Sequence, residues 1–132
     1  MKEKTVILVV EDEAIIRMGA VQMLQDAGFA VVEASNADDA MGILELRDDI
    51  RAVFTDINMP GTLDGLRLAR AVRGRWPPIH LLLTSGLVSP DEEELPANGR
   101  FIRKPYQAEH VIATLRELLG FNSPSDPISE AA

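Results

Sequence analysis

The stretch Thr5-Val6-Ile7-Leu8-Val9-Val10-Glu11-Asp12-Glu13 decides the architecture, because a short apolar run rich in β-branched residues stops abruptly at consecutive acids. Branched side chains fit a pleated strand, and the apolar residues that follow, Ile15, Ile16, Met18, Met23 and Leu24, recur at helical spacing. The order is therefore strand, acidic turn, helix. Gly28 suits a left-handed closure of that helix, and Phe29-Ala30-Val31-Val32 reads as a second strand. Asn36 is a good N-cap for a second helix with Ala40, Ile43, Leu44 and Leu46 inward. Ala52-Val53-Phe54-Thr55 is a third strand, cut off by a loop holding Asp56, Pro60, Gly61 and Gly65. A helix with Leu66, Leu68, Ala69 and Val72 follows and ends at Trp76-Pro77-Pro78. Ile79-His80-Leu81-Leu82-Leu83 is apolar almost throughout, the pattern of a central strand buried on both faces. Arg100-Phe101-Ile102-Arg103 is the fifth strand, in which alternation points Phe101 away from Ile102. Val111, Ile112, Leu115, Leu118 and Leu119 give the last helix an apolar stripe up to Gly120.

Strands alternating with helices call for a parallel sheet, and right-handed crossovers put helices on both of its faces. The expected fold is a doubly wound α/β domain. Ligands of such sheets sit outside the carboxyl ends of the strands, so Glu11, Asp12, Asp56, Thr84 and Lys104, each just past a strand, should converge. At 132 residues one domain is expected, over residues 1–121, with 122–132 as a disordered tail on its serines and prolines. No internal repeat is visible.

Composition narrows the chemistry. A hydrophobic share of 46% with 26% charged residues belongs to a globular chain. No apolar run approaches the roughly 18 residues of a membrane span, and the start resembles no secretory leader, so a cytoplasmic protein without membrane insertion is expected. With no cysteine, disulfides, thiolate metal sites and cysteine nucleophiles are excluded. A net charge of −8 disfavours direct nucleic-acid binding, which needs clustered Lys and Arg. Divalent cations and basic protein surfaces are better partners.

Three carboxylates at one end of a sheet repel unless a cation or proton joins them. Mg²⁺ suits that need, since it prefers oxygen ligands and commonly takes one or two carboxylates plus a substrate phosphate. Asp12 and Asp56 can ligate directly, Glu11 through water, and Asn58 through its backbone carbonyl. A carboxylate is also a nucleophile toward phosphorus once the phosphoryl oxygens are neutralised, a task for Mg²⁺ and Lys104. Thr84 Oγ and the Ser85 N–H can donate to the remaining oxygen.

Taken singly, each residue has a plainer role. Asp12 or Glu13 would serve as a helix cap, Asp56 as a turn aspartate, Lys104 as a solvated loop lysine. What favours a site is their co-location with complementary chemistry. His80, within a strand, and His110, on a helix, lack a second ligand at metal spacing and read as structural. Asp91-Glu92-Glu93-Glu94 reads as a solvated face or helix start.

Val9-Val10-Glu11-Asp12-Glu13, Asp56-Ile57-Asn58-Met59-Pro60, Thr84-Ser85 and Lys104-Pro105 occur in the order found in the receiver domain of two-component response regulators, which the chain resembles from Thr5 to Leu119. The resemblance implies a flavodoxin-like sheet of strand order 2-1-3-4-5. It implies that Asp56 accepts a phosphoryl group from a histidine kinase phosphohistidine or a phosphotransfer protein, with Mg²⁺ as cofactor. Lys104, Thr84 and Ser85 would bind the phosphoryl group, Thr84 and Phe101 would rearrange to control a downstream protein, and the Lys104-Pro105 peptide would be cis. Such a module signals and is not an enzyme with an external substrate.

The chain departs from the pattern twice. The family usually places a pair of residues between the loop proline and the Asp-Gly that opens the next helix, whereas Gly61-Thr62-Leu63 stand before Asp64-Gly65 here. Between Gly86 and Gly99, Pro90 and Pro96 leave room for about one and a half helical turns, so the fourth of the family's five helices should be short or distorted. That weakens any carry-over of the family's usual dimer surface. Two alternatives remain. A phosphorylation-independent pseudo-receiver is opposed by the intact acidic residues, Thr84 and Lys104. An Mg²⁺-dependent phosphohydrolase with an aspartyl-phosphate intermediate would want an acid where Asn58 stands.

Overall fold

The structure, a computed structural model, describes residues 4–59, 64–87, 90–91 and 93–120. The elements are β1 (Val6–Val10), α1 (Ala14–Asp26), β2 (Ala30–Ala34), α2 (Ala37–Leu46), β3 (Ile50–Asp56), α3 (Gly65–Arg75), β4 (His80–Ser85), β5 (Arg100–Arg103) and α4 (Ala108–Leu119). The five strands form one parallel sheet in the order β2-β1-β3-β4-β5, as expected. No helix among the described residues is long and apolar enough to cross a membrane.

Two apolar layers sandwich the sheet. On one face Leu8, Val10, Val53, Leu81 and Leu83 pack against Ala37, Ala40 and Leu44 of α2 and Leu68, Ala69 and Val72 of α3. On the other, Ile7, Val9, Ala52, Phe54, Leu82 and Ile102 meet Ala20 and Leu24 of α1 and Val111 and Leu115 of α4. Leu81, Leu82 and Leu83 are all 0% exposed, and at about 1.5–3 kcal/mol each they anchor β4 and the residues at its carboxyl end.

Local chemistry sets the element ends. Gly28 takes φ 100°, closing α1 as its sequence position suggested. Asn36 caps α2 by accepting from the Asp39 N–H at 2.8 Å, and Asp64 caps α3 by accepting from the Arg67 N–H at 2.9 Å. Gly120 ends α4 at φ 85°.

Ile15 and Met18 continue the helical spacing but face away from the sheet at 85% and 67% exposure, because the buried stripe of α1 runs through Ala20 and Leu24. Two expectations need correction. Leu46, read as inward, is the last residue of α2 and is 89% exposed. Between β4 and β5 the described residues form turns in place of a short helix. The Glu94 N–H donates to Asp91 O and the Gly99 N–H to Pro96 O, both at 2.9 Å. Pro96 disfavours the helical conformation at Leu95 and lacks an N–H of its own. Carbonyls of this segment are instead met from α3, by Arg70 on Glu94 O at 3.0 Å and Arg73 Nε on Ala97 O at 2.8 Å. Leu95 packs on the α2/α3 side of the core. The insertion Gly61-Thr62-Leu63 with Pro60, and the tail 122–132, lie outside the described residues.

Candidate functional site

Strand register brings the predicted residues together. Asp56 ends β3 beside Thr84 of β4, and Glu11 follows directly on β1, whose Val10 lies beside Thr55. Beyond the end of β5, the Lys104 N–H extends the ladder by donating to Ser85 O at 3.0 Å. Glu11, Asp12, Asp56, Thr84, Ser85 and Lys104 thus share one sheet end. The Lys104-Pro105 peptide is cis, in agreement with the family resemblance.

Lys104 is the hub of the charge. Its Nζ lies 3.1 Å from Glu11 Oε1 and 3.2 Å from Asp56 Oδ2. The other Asp56 oxygen accepts from the Asn58 N–H at 3.2 Å, and Glu11 Oε2 from the Glu13 N–H at 3.1 Å. Glu13 is the N-cap residue of α1 without a side-chain cap bond, so the acidic turn is not used as a helix cap. Glu11, Asp12 and Asp56 each present an oxygen within 4.8 Å of the others. Burial lifts the Glu11 carboxyl above its ordinary pKa, outweighing the Glu13 N–H and Lys104; the Asp56 carboxylate adds to the rise. Burial pulls the Lys104 ammonium the other way, but its bonds to Glu11 and Asp56 win and its pKa is raised. The lysine is therefore firmly cationic.

Thr84 is 3% exposed, and its Oγ1 has no hydrogen-bond partner among the described residues. A buried hydroxyl without a partner costs roughly 1–3 kcal/mol. It borders a cavity of about 10 Å³ together with Glu11, Asp56 and Tyr106. Phe101 lies beside Leu83 in the register and packs half-buried on the α2/α3 side, away from that cavity. His80 in β4 and His110 on α4 lie outside the acidic cluster.

Sequence reading passed over several supports. Arg17 of α1 donates to Glu11 O at 2.8 Å and pairs with Glu33 of β2 at 3.0 Å, tying the acidic turn to the sheet edge. Tyr106 stands edge-on to Phe54 at 5.7 Å and walls the cavity. Gly65 opens α3 so close to the site that an added Cβ would lie 2.0 Å from Asp56 O. The Asp-Gly pair at the helix start was the available signal for that approach.

The donor set fits a hard divalent cation. Glu11, Asp12 and Asp56 bring three carboxylate oxygens together, Lys104 pairs with two of these residues, Glu11 and Asp56, and the Thr84 hydroxyl stands ready for a further acceptor.

Comparisons with known proteins agree with this geometry. Residues 7–116 match the family described as response regulator receiver domain. The chain is 35% identical over 117 residues to the sensor kinase CckA of Brucella abortus, covering 86% of this chain and 12% of that protein. It is 33% identical over 129 residues to the response regulator MprA of Mycolicibacterium vanbaalenii, covering 96% of this chain and 55% of that protein. The chain thus spans only part of the length of these curated relatives. Among solved structures, a response regulator receiver protein from Sinorhizobium medicae superposes with a TM-score of 0.85 at 28% identity, covering 92% of this chain and 98% of that one. The chemotaxis protein CheY4 of Vibrio cholerae gives 0.79 at 27% identity, covering 89% and 100%. From its sheet order, its acidic sheet end and these matches, the chain belongs to the response regulator receiver domain family.

Proposed function

We propose that residues 1–121 act as a phosphoacceptor receiver in the cytoplasm, taking a phosphoryl group onto Asp56 from the phosphohistidine of a histidine kinase or phosphotransfer protein. The observation that carries this reading is the Asp56 carboxylate held between the Lys104 ammonium and the Asn58 N–H, beside Glu11 and Asp12. Glu11, Asp12, Asp56 and the Asn58 carbonyl are the groups that would hold Mg²⁺. When bound, Mg²⁺ neutralises charge on the phosphoryl oxygens.

The protein's own groups do the rest. An Asp56 oxygen attacks phosphorus while the donor's phosphorus–nitrogen bond breaks, and the departing imidazole nitrogen keeps that bond's electron pair. Lys104 moves its charge from the carboxylates toward the arriving phosphoryl group. The Thr84 hydroxyl and the Ser85 N–H donate to a phosphoryl oxygen. Drawing Thr84 inward opens space behind it for Phe101, and the altered face is what a downstream protein reads. Nucleic acid is not a direct partner of this acidic domain. A phosphohydrolase is the weaker reading, because Asn58 offers no acid for turnover.

Thermal melting with beryllofluoride, a phosphoryl mimic, tests the reading. Wild type should melt higher when Mg²⁺ and beryllofluoride are added together, and Asp56→Asn should show no such rise. A wild type unmoved by both would point to a phosphorylation-independent module, and an Asp56→Asn variant that responds like wild type would place the acceptor elsewhere.

A further inference from the structure

Ser85 is 0% exposed, yet its hydroxyl reaches out of β4 to the loop after β3. Ser85 Oγ donates to Asn58 Oδ1 at 2.5 Å and accepts from the Leu87 N–H at 3.1 Å. The same residue's carbonyl accepts from the Lys104 N–H at 3.0 Å. One buried serine therefore holds, through three separate bonds, the lysine that neutralises Asp56, the loop carrying Asn58, and the start of the segment beyond β4. Asn58 is otherwise exposed. Its backbone N–H meets Asp56 Oδ1 at 3.2 Å. Thr84, next to Ser85, receives the Ile57 N–H on its carbonyl at 2.9 Å. The β3–β4 seam is thus closed by backbone at Ile57 and by side chains at Asn58.

We propose that Ser85 is a positioning residue whose hydroxyl, by holding the Asn58 side chain, fixes the Asn58 carbonyl where it serves the Mg²⁺ site. This rests on the receiver reading above, but it assigns to the Ser85 hydroxyl a task distinct from that of its N–H. Donating to Asn58 directs the hydroxyl hydrogen at the loop and leaves the phosphoryl group to Thr84 and the Ser85 backbone. It also makes the Asn58 loop follow any movement of the β4 end, so that a shift of Thr84 reaches the ligand carbonyl through one bond.

The test is a double-mutant cycle read by calorimetric Mg²⁺ titration of the full chain, with circular dichroism as a check on folding. Ser85→Ala and Asn58→Ala each remove one partner and leave every backbone group in place. Each should weaken Mg²⁺ binding about fivefold, the effect of one ordinary hydrogen bond. Ser85→Ala with Asn58→Ala should be no weaker than Ser85→Ala alone, since both break the Ser85–Asn58 bond and only Ser85→Ala also frees the Leu87 N–H. Asn58 is on the surface, so its variant gives the answer even if Ser85→Ala does not fold. An Asn58→Ala or folded Ser85→Ala protein that binds Mg²⁺ as tightly as wild type would overturn the proposal, as would two losses that multiply. If wild type itself took up no Mg²⁺, the receiver reading would fail first, a result unlike either of these.

Discussion

Lys104 carries one positive charge to the two carboxylates it touches, so the pocket stays net negative when Glu11, Asp12 and Asp56 are all ionised. Such an imbalance persists in a folded protein because β1, β3 and β4 hold these groups by backbone pairing. It is the arrangement to expect where a cation completes the charge. His80, in β4, is a titratable group outside the acidic cluster. Burial, and then the charges of Arg51 and Arg73, push its pKa below the ordinary 6.5. The unfolded chain therefore binds the proton more readily than the folded one, and stability rises with pH across the window between the two values. As pH falls from about 7.5 to about 5.5, wild type should lose stability relative to His80→Gln, with the difference levelling off below the folded-state pKa. Melting temperatures of the two proteins across that range check this; a constant difference would contradict it.

The helices show why side-chain patterns and local punctuation carry different information. Gly65 at the start of α3 leaves no room for a Cβ beside Asp56 O, so Gly65→Ala must push backbone against backbone. A destabilisation of about 2 kcal/mol or more is expected, with loss of Mg²⁺-dependent labelling because the displaced strand end carries Asp56. Chemical denaturation and intact mass measure the two effects; near wild-type stability with full labelling would contradict the account. Caps and stops were legible in the sequence, since Asn36, Gly28 and Gly120 each have a local physical reason to end or begin a helix. The outward position of Ile15, Met18 and Leu46 was not, because apolar side chains at helical spacing do not say which of two neighbouring stripes meets the sheet. Pro90 and Pro96 predicted trouble between β4 and β5. That Arg70 and Arg73 of α3 would supply donors to this segment depends on contacts 24 residues apart, which no local pattern carries.

The sheet assembles the candidate site by placing the ends of β1, β3, β4 and β5 side by side. Each of Glu11, Asp12, Asp56, Thr84 and Lys104 was found from a single inference, that parallel strands deliver their following residues to one edge. Phe101 is placed differently, since its side chain packs on the α2/α3 side of the sheet, away from the cavity that Thr84 borders. Arg17 and Tyr106 escaped notice because their contacts are set by how α1 and the turn after β5 pack, not by any motif. Every step of the proposed phosphoryl transfer requires Asp56 to be the nucleophile. Intact mass after incubation with acetyl phosphate, with and without Mg²⁺, tests this most directly. The prediction is a single Mg²⁺-dependent phosphoryl adduct on wild type that is absent from Asp56→Asn; an adduct retained by Asp56→Asn, or none on a folded wild type that also fails to bind beryllofluoride, would contradict it.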